Sequence, residues 1–317
     1  MAAMACNNKH SAAGEAGRVL VVLGATASGK TRLGVGLAAE LDGEVISADS
    51  RQVYRGLDLG AGKDLDDYEV GGRRIPYHLI DIVDLGQEFS VFDYQRRFYQ
   101  VFEDLTARGV LPVVVGGTGL YLEAVLKGYR MVAVPENAGL RAELAGVPHE
   151  ALVARLIAAR GKLHNTTDLT ERDRLIRAIE IVEYSKDHAP APAPAMTPLI
   201  LGTKWNRARL RQRIRERLDE RIEAGMIEEV QGLHEHGVPW ERLERLGLEY
   251  RFIAEYLQGK MPCSNDLLQK LYSAICHFAK RQDTWFRRME RHGAQIHWIP
   301  QGRIDIARQA VSNTFAP

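Results

Sequence analysis

The stretch that decides the fold is GATASGKT at residues 24–31. It matches the phosphate-loop pattern GxxxxGK[ST], in which Lys30 and Thr31 close the loop. The preceding run, RVLVVLG at 18–24, has the β-branched, apolar character of a strand buried on both faces. Sequence compatible with a helix follows from Lys30 to about Leu41. A loop between such a strand and helix predicts a ligand that carries phosphate.

The residue types in this loop explain how it would hold a phosphate. Glycines let the backbone curve so that several N–H groups point at phosphate oxygens, and the helix N-terminus adds positive potential. Lys30 adds a full charge, and the Thr31 hydroxyl can hold Mg²⁺, the predicted cofactor. The predicted pyrophosphate site consists of Gly24, Ala25, Thr26, Ala27, Ser28, Gly29, Lys30 and Thr31.

Strand and helix signals alternate after the loop. Strand signals lie at 44–47, 75–83, 111–117 and 199–205, and a helix with apolar residues at helical spacing is predicted over 90–109. This alternation predicts a parallel α/β sheet. Residues 140–185 form helices by their composition, and 187–198, DHAPAPAPAMTP, is a proline-rich connector.

The predicted domains follow from these changes in texture. Residues 1–17 are small and polar and are expected to form a disordered tail. An α/β core with a helical C-terminal part is predicted over 18–124 and 197–317. A helical insert with its connector is predicted over 125–196.

Composition limits the classes of function. The net charge of the 317 residues is only +1, so binding to nucleic acid must come from local patches. The three cysteines have no metal-ligand spacing, and no apolar run approaches the ~20 residues that span a bilayer. The first residues lack the pattern of a secretory signal. We expect a cytoplasmic monomer with no membrane contact.

Asp49 follows the strand signal EVIS, so it is expected at the carboxyl edge of the sheet, where open α/β sheets bind ligands. Its carboxylate could hold magnesium, bind a ribose or take a proton, and it could equally form a helix cap or turn. Ser50, Arg51 and Gln52 supply donors and acceptors suited to a nucleobase. The strand LPVVV lacks the terminal acid of many ATP-binding P-loop proteins and runs into the glycines at 116–117.

Three basic segments are candidates for phosphate contacts. In 204–221, arginines 209, 213 and 217 recur at i, i+4 spacing beside an apolar stripe, although a solvated helix face is the commoner fate of such a run. A second cluster contains Lys280 and Arg281, interleaved with Trp285 and Phe286, which could stack on bases or belong to the core. The third is RDRLIR at 172–177.

Several longer motifs carry a family resemblance. The blocks GATASGKT, ISADSRQVYRGLDLG, PYHLID, VVVGGTGLYLEAVLKG, RLGLEYRFIAEYLQG and FAKRQDTWFRR occur in this order over roughly residues 19–290. They resemble tRNA dimethylallyltransferases of bacterial type, also called tRNA isopentenyltransferases. The resemblance implies a P-loop NTPase-like parallel sheet core with a helical insertion domain. It also implies transfer of a dimethylallyl group from dimethylallyl pyrophosphate to N6 of the adenosine adjacent to the anticodon, with release of pyrophosphate.

The resemblance also implies roles for individual residues. Asp49 would be the base, Thr26 would contact the bridging oxygen or the phosphate, and Arg217, or else Arg213, would reach the pyrophosphate. Thr118 and the segment at 173–177 would contact the tRNA anticodon stem-loop. The complete predicted tRNA-binding set is Asp49, Ser50, Arg51, Gln52, Thr118, Asp173, Arg174, Leu175, Ile176, Arg177, Lys280 and Arg281.

The chain departs from the family pattern in two places. It has Ala61-Gly62-Lys63-Asp64 where the family commonly has TAKP, and the stretch His164–Asp168 before the insert arginines is altered. Three other functions stay open. They are an adenylate isopentenyltransferase acting on free AMP, ADP or ATP, a P-loop kinase of small molecules, and a non-catalytic RNA-binding protein.

Overall fold

A computed structural model of the chain describes residues 16–160 and 171–315. The altered stretch His164–Asp168 and most of the predicted tail lie outside these residues. The tail was predicted to extend to residue 17, but the first strand already begins at Gly17, where the backbone N–H donates to the Ala195 carbonyl.

A six-stranded sheet, parallel at every pairing, forms the core of the described chain, with the order β5-β2-β6-β1-β7-β8. Its strands are β1 Gly17–Gly24, β2 Glu44–Ala48, β5 Tyr77–His78, β6 Pro112–Gly116, β7 Met196–Lys204 and β8 Ile296–Pro300. The short strands β3 Glu69–Val70 and β4 Arg73–Arg74 form a separate antiparallel pair. The predicted parallel α/β sheet is confirmed.

Helices follow the strands and also form most of the C-terminal part. They are α1 Lys30–Glu40, α2 Val91–Ala107, α3 Gly119–Leu126, α4 Ala138–Ala145, α5 His149–Arg160, α6 Arg172–Tyr184, α7 Arg207–Glu223, α8 Met226–Glu235, α9 Trp240–Arg245, α10 Leu248–Leu257, α11 Ser264–Arg291 and α12 Ile304–Phe315. A 3₁₀ turn occupies Leu65–Tyr68.

The structure shortens one predicted strand and adds another. In the region 75–83, Tyr77 and His78 form β5 and Val83 makes an isolated parallel bridge with Tyr54, while the backbone between them bends, with Leu79 and Asp81 at positive φ. The C-terminal region is not wholly helical, since β8 extends the sheet beside β7. β8 is a short edge strand with mixed burial, so its sequence lacks the continuous apolar run that marks the central strands.

The sheet is covered by helices on both faces. Val19, Val21 and Leu23 of β1 pack with α2 and α3 on one face, while Leu20 and Val22 pack with α1 and α12 on the other. All five side chains are fully buried, which is why this strand reads as an uninterrupted apolar run. A further apolar cluster joins α7, α8, α10 and α11.

The chain divides into two compact units. One contains the described residues up to Lys127 and those from Pro194 onward, and the other, called the insert below, is Gly128–Ala193. The insert therefore begins three residues after its predicted start at 125 and ends three residues before its predicted end at 196.

The insert has its own apolar core, made by α4, α5 and α6. It contains Leu140, Leu144, Leu152, Leu156, Leu175, Ala178 and Ile179. Leu175 is 0% exposed. The prediction that the Leu175 side chain contacts tRNA is therefore wrong, because that side chain packs inside the insert.

One buried carboxylate ties the insert together. Glu180 accepts hydrogen bonds from the guanidinium groups of Arg141 and Arg177 and from the backbone N–H of Asn137. The hydrogen bond from Arg141 lowers the pKa of Glu180 to about 2; burial opposes this shift, and Arg177 and Asn137 reinforce it. Because the pKa is depressed on folding, this stabilisation is present above the unfolded-state value and is lost as the pH falls toward 2.

We expect Glu180→Gln to destabilise the insert at pH 7 by about 3 kcal/mol. The difference from the unsubstituted chain should shrink steadily below pH about 4.5, where the unfolded carboxylate takes up its proton. Amide hydrogen exchange of α6 at several pH values measures this difference. Glu150→Gln, on an exposed side chain of α5, is the control and should change exchange little. Equal effects of the two substitutions at pH 7 would contradict the assignment.

Candidate active site

The phosphate loop lies between the end of β1 at Gly24 and the start of α1 at Lys30. Gly29 precedes the helix in the left-handed region, with φ +79°, a conformation that glycine adopts without strain. Within the described residues, the backbone N–H groups of Ala27, Gly29, Lys30 and Thr31 donate to no protein acceptor. Unpaired N–H groups at a helix N-terminus form an anion-binding site.

The far side of the loop is held by the end of β7 and by residues that follow it. The Thr203 hydroxyl donates to Ser28 Oγ at 2.6 Å, and the Trp205 indole N–H donates to the Ser28 carbonyl at 2.9 Å. Arg213 donates from Nε to the Ala27 carbonyl and lies 4.5 Å above the Trp205 ring. Arg213 therefore supports the loop through Nε, while its Nη2 would stand 3.9 Å from a Cβ on Gly29. The alternative prediction that Arg213 binds pyrophosphate stays a prediction.

Gln282 of α11 connects the loop to the end of β6. Its Oε1 accepts the Thr26 backbone N–H at 2.8 Å, and its Nε2 donates to the Gly117 carbonyl at 2.9 Å. The Gln282 side chain is buried, and its hydrogen bond to the Gly117 carbonyl is buried with it. In the sequence this glutamine lies within the block FAKRQDTWFRR, and no role was predicted for it. The local spacing of residues in the sequence cannot predict a hydrogen bond between two residues that lie 165 positions apart.

Asp49 comes directly after β2, at the carboxyl edge of the sheet as predicted. One of its carboxylate oxygens accepts the Arg51 backbone N–H at 2.9 Å, and within the described part of the chain the other has no protein donor. The Ser50 N–H donates to Thr118 Oγ1 at 3.0 Å. Asp49 is thus a turn residue, as one alternative proposed, and its second oxygen is still available to a ligand.

The edge of the sheet opens into a cleft of about 380 Å³. The predicted residues that line it are Thr26, Lys30, Thr31, Asp49, Ser50, Arg51, Gln52, Thr118, Arg217 and Arg281. Lys280 does not line the cleft; its side chain is exposed elsewhere on α11. Residues 173–177 belong to the insert, where Asp173 and Arg174 are exposed. Arg177 donates to Glu180 and to the Val134 carbonyl.

Gln52 lines the cleft with an amide that is already engaged. Its Oε1 accepts the Ser47 hydroxyl at 2.8 Å, and its Nε2 donates to the Gly62 carbonyl at 2.9 Å. The side chain is 8% exposed. Gln52 therefore holds the loop around Gly62 in place. The prediction that Gln52 contacts tRNA stays a prediction.

The second basic cluster differs from its prediction. Phe286 is fully buried in the core, and the Trp285 ring lies so close to Gly119 that a Cβ there would stand 2.3 Å from it. Arg288 covers the Trp285 ring at 4.0 Å. The prediction that Trp285 and Phe286 stack on bases is therefore wrong, and the alternative prediction, that they belong to the core, is confirmed. The exposed aromatic on this helix is Phe278, whose ring lies 5.8 Å from Arg281.

Several residues that line the cleft were missed. The cations among them are Arg221, Arg245 and Arg251, and the carboxylates are Glu244 and Glu249. Arg221 could have been found, because it continues the i, i+4 series of arginines by one step. The glutamates lie on α9 and just after the start of α10, where the sequence shows only ordinary amphipathic helices.

Charges in the cleft perturb one another. Burial lowers the pKa of Lys30 to about 8; Asp49 opposes the shift, and Arg217 and Arg221 add to it. Burial, together with Arg217, lowers the pKa of Arg221, while burial raises the pKa of Glu249. A site in which cations depress one another's pKa values gains from an anionic ligand.

A phosphate loop that faces a carboxylate and arginines across a cleft is typical of a P-loop enzyme. Comparison with known proteins gives the family. A profile described as IPP transferase matches residues 52–289. The tRNA dimethylallyltransferase 1 of Geotalea daltonii is 61% identical over 293 residues, which cover 92% of this chain and 94% of the relative.

Other relatives agree. The tRNA dimethylallyltransferase 2 of Trichlorobacter lovleyi is 55% identical over 302 residues, covering 94% of this chain and 97% of the relative. The crystal structure of a tRNA isopentenylpyrophosphate transferase from Bacillus halodurans is 30% identical, with a TM-score of 0.68 over 95% of this chain and 96% of that one. A eukaryotic dimethylallyltransferase acting on tRNA shares the fold, with a TM-score of 0.76 at 22% identity, over 95% of this chain and 79% of that one.

The chain belongs to the IPP transferase family. The predictions of this family, of an enzyme and of a P-loop α/β fold are confirmed. Among the described residues, no helix is long and apolar enough to cross a membrane.

We expect Gln282→Leu to weaken binding of inorganic pyrophosphate about tenfold, because the Thr26 N–H loses its acceptor and the loop must find another arrangement. Isothermal titration calorimetry on the purified chain measures the affinity. Gln231→Leu, on an exposed side chain of α8, is the matched control and should leave the affinity unchanged. Unaltered pyrophosphate binding by the Gln282 variant would show that the bridge does not shape the loop.

Proposed function

We propose that this cleft binds dimethylallyl pyrophosphate on the phosphate loop and an adenine of tRNA beside Asp49. The dimethylallyl group then passes to N6 of the adenosine adjacent to the anticodon, and pyrophosphate leaves. The observation that carries the proposal is that the loop and the open oxygen of Asp49 line the same cleft. The names of the relatives supply the tRNA and the dimethylallyl group.

The Asp49 carboxylate can act as the base that makes adenine N6 reactive. An exocyclic adenine amine is a weak nucleophile because its lone pair is delocalised into the ring. As the N6 lone pair forms a bond to C1 of the dimethylallyl group, the amine proton passes to the open oxygen of Asp49. The Arg51 N–H fixes the other oxygen, so the carboxylate is oriented before the substrate arrives.

The loop side of the cleft serves the leaving group. When the C1–O bond breaks, its electron pair stays with pyrophosphate, so negative charge grows on the phosphate oxygens. The unpaired N–H groups of the loop, Lys30, Arg217 and Arg221 are the donors that would stabilise that charge. Thr26 lines the same cleft, which suits the predicted contact with the bridging oxygen or the phosphate.

The donor set fits Mg²⁺. The Thr31 hydroxyl lines the cleft at the end of the phosphate loop, where such a hydroxyl holds Mg²⁺ together with substrate phosphates and water. The described residues contain no cluster of three or more His, Cys, Asp or Glu side chains that could hold a metal by themselves. Thr31 would hold the ion, which would supply charge neutralisation on the pyrophosphate.

The rim of the cleft suits an RNA loop. Arg51, Arg245, Arg251 and Arg281 line it with Phe278, combining phosphate contacts with a ring on which a base can stack. To reach Asp49 the adenine must leave its stack, at a cost on the order of a few kcal/mol that such contacts would offset. In the insert, the exposed Asp173 and Arg174 stay candidates for contact with the anticodon stem-loop.

The alternatives differ in what they need. A kinase would normally need an acid at the end of the strand that here ends at Gly116. An adenylate isopentenyltransferase would need no RNA-binding rim. A non-catalytic RNA-binding protein would have no use for Asp49. The monomeric state and the cytoplasmic location stay predictions.

A paired transfer assay tests the proposal. Labelled dimethylallyl pyrophosphate and Mg²⁺ are offered with an anticodon stem-loop that has adenines 3′ of the anticodon, and separately with AMP, ADP and ATP. We expect label on the stem-loop alone. Label on free nucleotides would replace the proposal with the adenylate enzyme. ATP hydrolysis without any transfer would favour the kinase.

Asp49→Asn isolates the base. The amide can still accept the Arg51 N–H, so the turn is kept while the proton acceptor is lost. We expect single-turnover transfer to fall by about 10²–10⁴-fold, the usual contribution of a general base. Filter binding of the stem-loop should be unchanged. Retained turnover, or loss of stem-loop binding, would contradict the role given to Asp49.

A further inference from the structure

Asp64 forms ion pairs with Arg217 and Arg221, the two arginines of α7 that line the cleft beside the phosphate loop. Its carboxylate is paired with the Arg217 guanidinium and lies 3.2 Å from Arg221 Nη2. The Asp64 side chain is 38% exposed, whereas that of Arg221 is only 13% exposed, so the pair is formed at the wall of the cleft. Asp64 is one of the residues at which the sequence departs from the family pattern.

The loop before Asp64 is anchored tightly. Lys63 is 2% exposed, and its ammonium donates to the Tyr54 carbonyl, to Asp58 at 2.8 Å and to Asp81. The Glu229 carboxylate accepts the backbone N–H of Leu59 at 2.6 Å. Asp64 itself has φ +39° and is the N-cap residue directly before the 3₁₀ turn. These contacts fix the backbone that presents the carboxylate to the arginines.

The carboxylate is charged in this position. Burial alone would raise the pKa of Asp64, but Arg217 and Arg221 lower it below its ordinary value. Carboxylates and phosphates use the same guanidinium N–H donors and the same fork geometry. Asp64 and a bound pyrophosphate would therefore compete for these donors.

We propose that Asp64 is an internal competitor of pyrophosphate. It holds Arg217 and Arg221 while the cleft is empty and retakes them as the product leaves. The inference rests on the proposed function, since it requires pyrophosphate to bind in this cleft. The apparent affinity for pyrophosphate is the intrinsic affinity multiplied by the fraction of molecules in which the two arginines are free. By lowering this fraction, Asp64 weakens binding of the product and speeds its release.

The test measures binding of inorganic pyrophosphate by calorimetry to the full chain and to Asp64→Asn. Asparagine tolerates positive φ, so the turn is kept while the charge is removed. We expect the variant to bind about tenfold more tightly, as follows from removing one like charge beside the ligand. Product inhibition of transfer should strengthen by the same factor. Asp64→Gly, which also suits this backbone, should agree in direction, and Asp66→Asn, on an exposed neighbour, should change nothing.

Each contrary outcome has a distinct meaning. Weaker binding by Asp64→Asn would show that Asp64 positions the arginines for the ligand and would overturn the inference. Weaker binding only when Mg²⁺ is present would make Asp64 a metal ligand and would overturn it too. Equal affinity of variant and unsubstituted chain would mean no competition. Failure of the unsubstituted chain to bind pyrophosphate would instead overturn the proposed function, and the inference with it.

Discussion

The parallel pairing of β1, β6 and β2 is the constraint on which the site depends. Leu23 and Ala48 both pair with Gly116, so the three strands end at one level of the sheet. The phosphate loop, Asp49 and the Gly117–Thr118 turn all leave the sheet from that level. Groups from three separate segments of the chain therefore meet at one edge of the sheet, and no direct contact between Lys30 and Asp49 is needed to bring them together.

Side chains from the helical C-terminal part complete this edge. Gln282 bridges the loop and the glycine turn, while Arg217 and Arg221 add charge from α7. These helices are held by an apolar cluster that includes Leu210, Ile214 and Leu218. On α7 the apolar residues and the arginines each recur every four residues, so they occupy two separate faces of the helix. Burial of the apolar face therefore determines the direction in which the arginine side chains point.

The sequence was most informative where a feature is local or periodic. The phosphate loop, the buried strand before it and the arginine stripe of α7 depend on neighbouring residues, and each was predicted. Gln282 and Asp64 act through contacts with residues more than 150 positions away, which no local pattern encodes. Trp285 and Phe286 illustrate a third case. A pattern of basic and aromatic residues fits both a binding face and a core, and only packing against Gly119 decides between them.

The glycine that ends β6 has a consequence for how this fold can change its chemistry. A Cβ on Gly116 would stand 2.2 Å from the Ala48 carbonyl oxygen, a backbone atom that cannot yield without separating two strands. The strand-end acid that ATP-hydrolysing P-loop proteins use cannot be introduced there by a single substitution. The close approach of β2 and β6 therefore restricts how this site can evolve. A strand-end acid for nucleotide hydrolysis could be added at position 116 only after these two strands had moved apart.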